Sequence, residues 1–138
     1  MSKLKAFLQP VVTDRTEEVI VSDRFKDDKG DVVPFVVKCI SQNENEKISK
    51  KSMVSIGSGK NARKELDHAL YARRMIVECT VEPDFRDKEM CDYYGVIDPL
   101  DIPGLMLTVG EYGILSTAIM QINDLIDAQE KLDEAKNS

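Results

Sequence analysis

The spacing of apolar residues changes several times along the chain, and each change marks an element. Leu4, Phe7 and Leu8 share one side of a short helix over residues 3–9, which Pro10 ends. Residues 17–25 read as a strand, rich in β-branched Val19, Ile20 and Val21, with Val19, Val21 and Phe25 on a period of two. Lys26 to Asp31 is turn chemistry, with aspartates to bond local backbone and a glycine to accept positive φ. Val32 to Ile40 reads as the return strand. Pro34 cannot donate to a ladder, so this strand is expected at a sheet edge or with a bulge there.

Helical spacing then takes over. Ser41, with Glu44 three residues on, is a capping-box pattern for a helix reaching about Ser52. Residues 55–62 hold two glycines and two serines and are expected to form a flexible loop. Leu66, Ala69, Ala72, Ile76 and Cys79 make one apolar face of a helix from about Arg63 to Val81, ended by Pro83. Asp84 or Asp87 can cap a short helix over 88–94, with Gly95 as its stop. Residues 98–107 are helical with an interruption at Pro103-Gly104. The last helix is expected from Val109 to about Glu134, with a stripe of Leu115, Ala118, Ile119, Ile122, Leu125, Ile126 and Leu132.

A lone hairpin is marginal in water, so its apolar face must lie on the helices. The fold class is therefore α+β and mainly α-helical. It is one small domain over residues 1–138, with an N-terminal β-hairpin (about 17–40) packed on a helical bundle. Residues 1–10 and 128–138 are the termini expected to be flexible.

Composition narrows the classes. At 138 residues and 42% hydrophobic content, the chain can bury one core without staples. No apolar run approaches a membrane span, and the start lacks the apolar stretch of a signal peptide. Three cysteines with no close pair speak against a disulfide framework and for a reducing compartment. The net charge of −6 is unevenly spread. Residues 47–74 carry 8 basic and 2 acidic side chains, whereas residues 75–138 carry 4 basic and 14 acidic. Partners of opposite charge could dock at different ends, or the charges could simply solvate helix faces.

The candidate chemistry is thin. Gly57-Ser58-Gly59-Lys60-Asn61 suggests a phosphate loop, but Val54 stands where a glycine is needed and Asn61 where Ser or Thr is needed. Asp27, Asp28, Gly30 and Asp31 depart from the order of a calcium loop, because Lys29 occupies a ligand position. His68, the single histidine, has no nucleophile or carboxylate partner at a telling spacing. Cys39, Cys79 and Cys91 lack zinc-ligand spacing and suit buried thiols. The basic segment holds Tyr71 as its one aromatic, a poor match to a nucleic-acid stacking platform. The residues support no catalytic, cofactor or metal site, and the chain is read as non-enzymatic.

Five segments occur in a recognisable order: Val21-Ser22-Asp23-Arg24-Phe25-Lys26-Asp27, Pro34-Phe35, Pro83-Asp84-Phe85, Tyr94-Gly95-Val96 and Gly110-Glu111-Tyr112. In this the chain resembles the XkdN-like tail assembly chaperones of phages and phage-like prophage elements, over roughly residues 16–126. The 55–62 loop stands outside the shared pattern. The resemblance implies a cytoplasmic factor, absent from the mature virion, that binds the tape measure protein and aids assembly of the tail tube protein around it. The alternative is a structural virion component such as a tail-completion or tube-end protein. Self-association is left open, with no membrane and no nucleic acid expected as partners. A chaperone for amphipathic segments needs an apolar face. Leu115, Ile119, Ile122 and Ile126 of the last helix are the partner-binding candidates, with Met90, Met106 and Met120 as adaptable additions. The same residues also suit the domain's own core.

Overall fold

The computed structural model describes residues 3–11 and 15–125. A 3-10 turn at Lys3–Phe7 replaces the expected N-terminal helix, with Leu4, Phe7 and Leu8 all exposed. Strand β1 (Thr16–Val19) pairs antiparallel with β2 (Phe35–Lys38), Val19 opposite Phe35 and Glu17 opposite Val37. The hairpin is real, but its strands are shorter than their β-branched runs. After Val19 the chain bends so that Val21 is buried, and only a single bridge, Lys26 to Val32, closes the distal arm. Asp27 Oδ1 accepts from the backbone N–H groups of Lys29 (2.9 Å) and Asp31 (3.0 Å), so this carboxylate closes the turn.

Helix α1 (Gln42–Lys51) begins as its cap dictates, with the Ser41 hydroxyl accepting from the Glu44 N–H at 3.2 Å. The expected loop at 55–62 is instead a second hairpin. Strand β3 (Met53–Ile56) pairs with β4 (Arg63–Leu66) around a 3-10 turn at Gly59–Asn61. Gly57 makes the tight turn possible. It sits at φ +82°, and a Cβ there would lie 2.8 Å from the Asn61 carbonyl oxygen. Helix α2 (His68–Cys79) consequently starts later than expected, at an Asp67 cap whose carboxylate accepts from the Leu70 N–H at 3.0 Å.

Where the helix was expected to continue, β5 (Thr80–Glu82) forms and pairs with β2. The strand order is therefore β1-β2-β5, which makes β2 central rather than an edge. Pro34 is compatible with this because it precedes the first paired residue and owes the ladder no N–H. The predicted irregularity falls later, as a register shift at Val36/Val37.

A cis Glu82–Pro83 bond follows. Helix α3 (Lys88–Tyr94) is capped by Asp87 and stopped by Gly95 at φ +66°. A 3-10 turn at Pro99–Asp101 leads into α4 (Ile102–Met106). Pro103 does not interrupt this helix. It lies in the first turn, where a missing N–H is tolerated. Helix α5 (Val109–Ile122) has its C-cap at Asn123, and Asp124 turns the chain at φ +62°. Ile126, Leu132 and the rest of the expected C-terminal extension lie outside the described residues.

One core joins these parts. Phe35 and Val37 of β2, Ile76 and Cys79 of α2, Phe85, Ile102, and Leu115, Ile119 and Ile122 of α5 pack together. Each fully buried aliphatic or aromatic side chain contributes about 1.5–3 kcal/mol. The domain is α+β and mainly helical, with the small sheet laid against α2 and α5.

Candidate functional site

Both ends of α5 are pinned by polar side chains. At its start, Thr108 and Glu111 form a reciprocal capping box. The Thr108 hydroxyl accepts from the Glu111 N–H at 3.1 Å, and Glu111 Oε1 accepts from the Thr108 N–H at 2.9 Å. Arg24, from the bend after β1, clamps the same carboxylate. Its Nε donates to Oε2 and its Nη2 to Oε1, both at 2.8 Å. Arg24 Nη2 also donates to the Met106 carbonyl, and the guanidinium lies 4.2 Å from the Phe25 ring centroid. The Arg24 clamp, reinforced by Thr108, holds the Glu111 carboxyl well below the usual carboxylate range.

At the other end, Asn123 Oδ1 accepts from the Ile40 N–H at 2.9 Å, while Nδ2 donates to the Ile119 carbonyl at 2.8 Å. Arg15 donates to the Ile122 carbonyl. The last helix is thus fastened to the bend after β1 and to the exit of β2. Cys79, below Asn123, is buried, and burial pushes its thiol up to about 12.

Between α2 and α5 a groove of about 140 Å³ is lined mainly by Tyr71, Ala72, Met75, Ile119, Met120 and Leu125. Its walls are almost entirely apolar. The Tyr71 hydroxyl is turned away to donate to Asn45 of α1, which leaves the ring as wall. Burial raises the Tyr71 pKa above its ordinary value. Met120 and Leu125 stand exposed at the rim. The arrangement can hold apolar side chains of a docked segment, and two flexible methionines let it adapt.

The four partner-binding candidates fare differently. Leu115 and Ile122, at 0% and 2% exposure, are core residues and offer no surface. Their helical stripe faces the domain's own sheet and α2. Ile119 is also buried but forms part of the groove floor. Ile126 lies outside the described residues. Met90 and Met106 are half-buried against the core, and Met120 is exposed. His68 is exposed at the first residue of α2. The 57–61 segment is the turn of the β3–β4 hairpin. Nothing local in the sequence marks Arg24 and Asn123 as connectors, because their partners are distant in sequence. The one signal in the sequence is that Arg24 and Glu111 both lie in segments that carry the family resemblance.

The profile of the family described as phage XkdN-like tail assembly chaperone protein matches residues 4–136. With nearly the whole chain matched, the protein belongs to the XkdN-like family of phage tail assembly chaperones. It is 34% identical over 137 residues to the phage-like element PBSX protein XkdN of Bacillus subtilis (strain 168), covering 96% of this chain and 93% of that one. Protein YqbN of the same strain is 36% identical over 134 residues, covering 94% and 90%. A crystal structure of protein YqbN superposes with a TM-score of 0.70 at 31% identity, over 86% of this chain and 93% of that chain. The resemblance read from the recurring segments is therefore correct at the level of the family.

Proposed function

We propose that this chaperone binds the tape measure protein in the host cytoplasm during tail assembly. It keeps that protein's amphipathic helices from aggregating while tail tube subunits assemble around them. It does so by binding alone, without catalysis, and leaves before the virion matures. The observation that carries this reading is the apolar groove between α2 and α5. An amphipathic helix recognises such a groove with apolar side chains at helical spacing, and the chain's net charge of −6 keeps the complex dissolved.

The test is co-expression with the tape measure protein encoded in the same gene cluster, followed by pull-down and size exclusion. The expected result is a soluble complex, with the tape measure protein precipitating when expressed alone. Met120→Lys, at the exposed rim, should fold normally and weaken the complex by about tenfold or more. If the chain elutes alone and is instead found in purified particles, it is a structural tail component and the chaperone mechanism is wrong.

A further inference from the structure

The β3–β4 hairpin is unaccounted for by the groove. It stands apart from the core: all four β3 residues are exposed, and in β4 only Leu66 is partly covered. Among the described residues no third strand pairs with either of its edges. A two-stranded hairpin with open edges is marginal in water by itself. This one is anchored at its base, where the buried Ser52 donates to the Ile48 carbonyl at 2.7 Å and accepts from the Asp67 N–H at 2.9 Å. It carries Lys60, Arg63 and Lys64 against one acidic residue, Glu65, to which Arg63 Nε donates at 2.6 Å, together with the exposed Met53, Val54 and Ile56.

The larger sheet has a matching open edge. β1 is its outer strand, and among the described residues nothing pairs with its far side. β1 is four residues long, as β3 and β4 are, and its sequence is Thr16-Glu17-Glu18-Val19, followed by the exposed Ile20. Charges on edge strands normally keep like edges apart. Here the two kinds of edge carry opposite sign. Two hairpins would repel through their basic residues, and two β1 edges would repel through Glu17 and Glu18. Setting the β4 edge against the β1 edge brings Arg63 and Lys64 to Glu17 and Glu18, with Val54 and Ile56 of β3 one strand further out.

We infer that the β3–β4 hairpin of one copy adds to the β1 edge of a second copy, extending the three-stranded sheet to five strands. Main-chain hydrogen bonds supply the pairing, and the opposite charges select the edge. The two patches differ, so the contact repeats head to tail or closes reciprocally in a dimer. The pairing needs no tape measure protein, so a failed pull-down leaves it standing.

Light scattering during size exclusion, over a range of concentrations, tests the pairing on the full chain. The wild type should self-associate, less so at high salt. The doubles Glu17→Lys/Glu18→Lys and Arg63→Glu/Lys64→Glu change exposed residues, and circular dichroism should show both folded. Each should weaken self-association by about tenfold or more. Mixing the two should restore it, because the basic hairpin of one meets the acidic edge of the other. A wild type that stays monomeric throughout overturns the inference. So does either double associating like the wild type, or a mixture that fails to regain association.

Discussion

Arg24 and Glu111, 87 positions apart, are joined by two parallel 2.8 Å hydrogen bonds, and the same carboxylate closes the capping box of α5. Two of the segments that carry the family resemblance, one around Ser22-Asp23-Arg24-Phe25 and one at Gly110-Glu111-Tyr112, therefore meet in space. The contact sets the position of the last helix against the bend after β1.

Removing either partner should lower the melting temperature. Glu111→Ala should do so more than Arg24→Ala, because it also removes the bond to the Thr108 N–H and with it the capping box of α5. Thermal denaturation of both variants checks the ranking. If Arg24→Ala is the worse of the two, the cap contributes little.

The clamp also sets an acid limit. Glu111 titrates below its ordinary range in the folded state, so the unfolded chain takes up its proton first as pH falls. Its stabilisation is complete above the ordinary carboxylate range and is lost as pH drops through and below it. Urea titrations across the acid range should show a shallower loss for Glu111→Gln than for the wild type, on top of a lower starting stability.

Asn123→Ala should destabilise by about 1–3 kcal/mol, because the Ile40 N–H loses its acceptor in a partly buried setting. Asn123→Asp keeps that acceptor and loses the donor to the Ile119 carbonyl, so it should behave differently. Equal losses for both would mean that the Ile40 bond is not the important one.

Leu115→Ala should cost about 2–5 kcal/mol, since the side chain is fully buried where α5 meets the rest of the core. Chemical denaturation measures it directly. A loss under about 1 kcal/mol would place this residue at a surface after all.

Cys79 should resist alkylation until the domain unfolds, because burial both blocks it and pushes its thiol up to about 12. Cys91, half-buried with its Sγ 3.7 Å from the Phe85 carbonyl oxygen, should react sooner. Mass-resolved labelling under native conditions distinguishes the two sites.

Local chemistry was legible in the sequence wherever a short stretch decides its own conformation. Ser41 caps α1, Asp87 caps α3 and Gly95 stops it, because each acts on backbone within a few residues. The first hairpin, the α+β class and the family could be read in the same way. Tertiary structure decided what depends on distant partners. Residues 63–66 and 80–82 continue a helical apolar pattern, yet both are strands, because β3 and β2 offer them backbone partners. The stripe on α5 is indistinguishable in sequence from a docking face. Only the placement of the sheet and α2 turns Leu115 and Ile122 into core while leaving Met120 and Leu125 at a groove. Periodicity says which side of a helix is apolar, and the neighbouring elements decide whether that side is already covered.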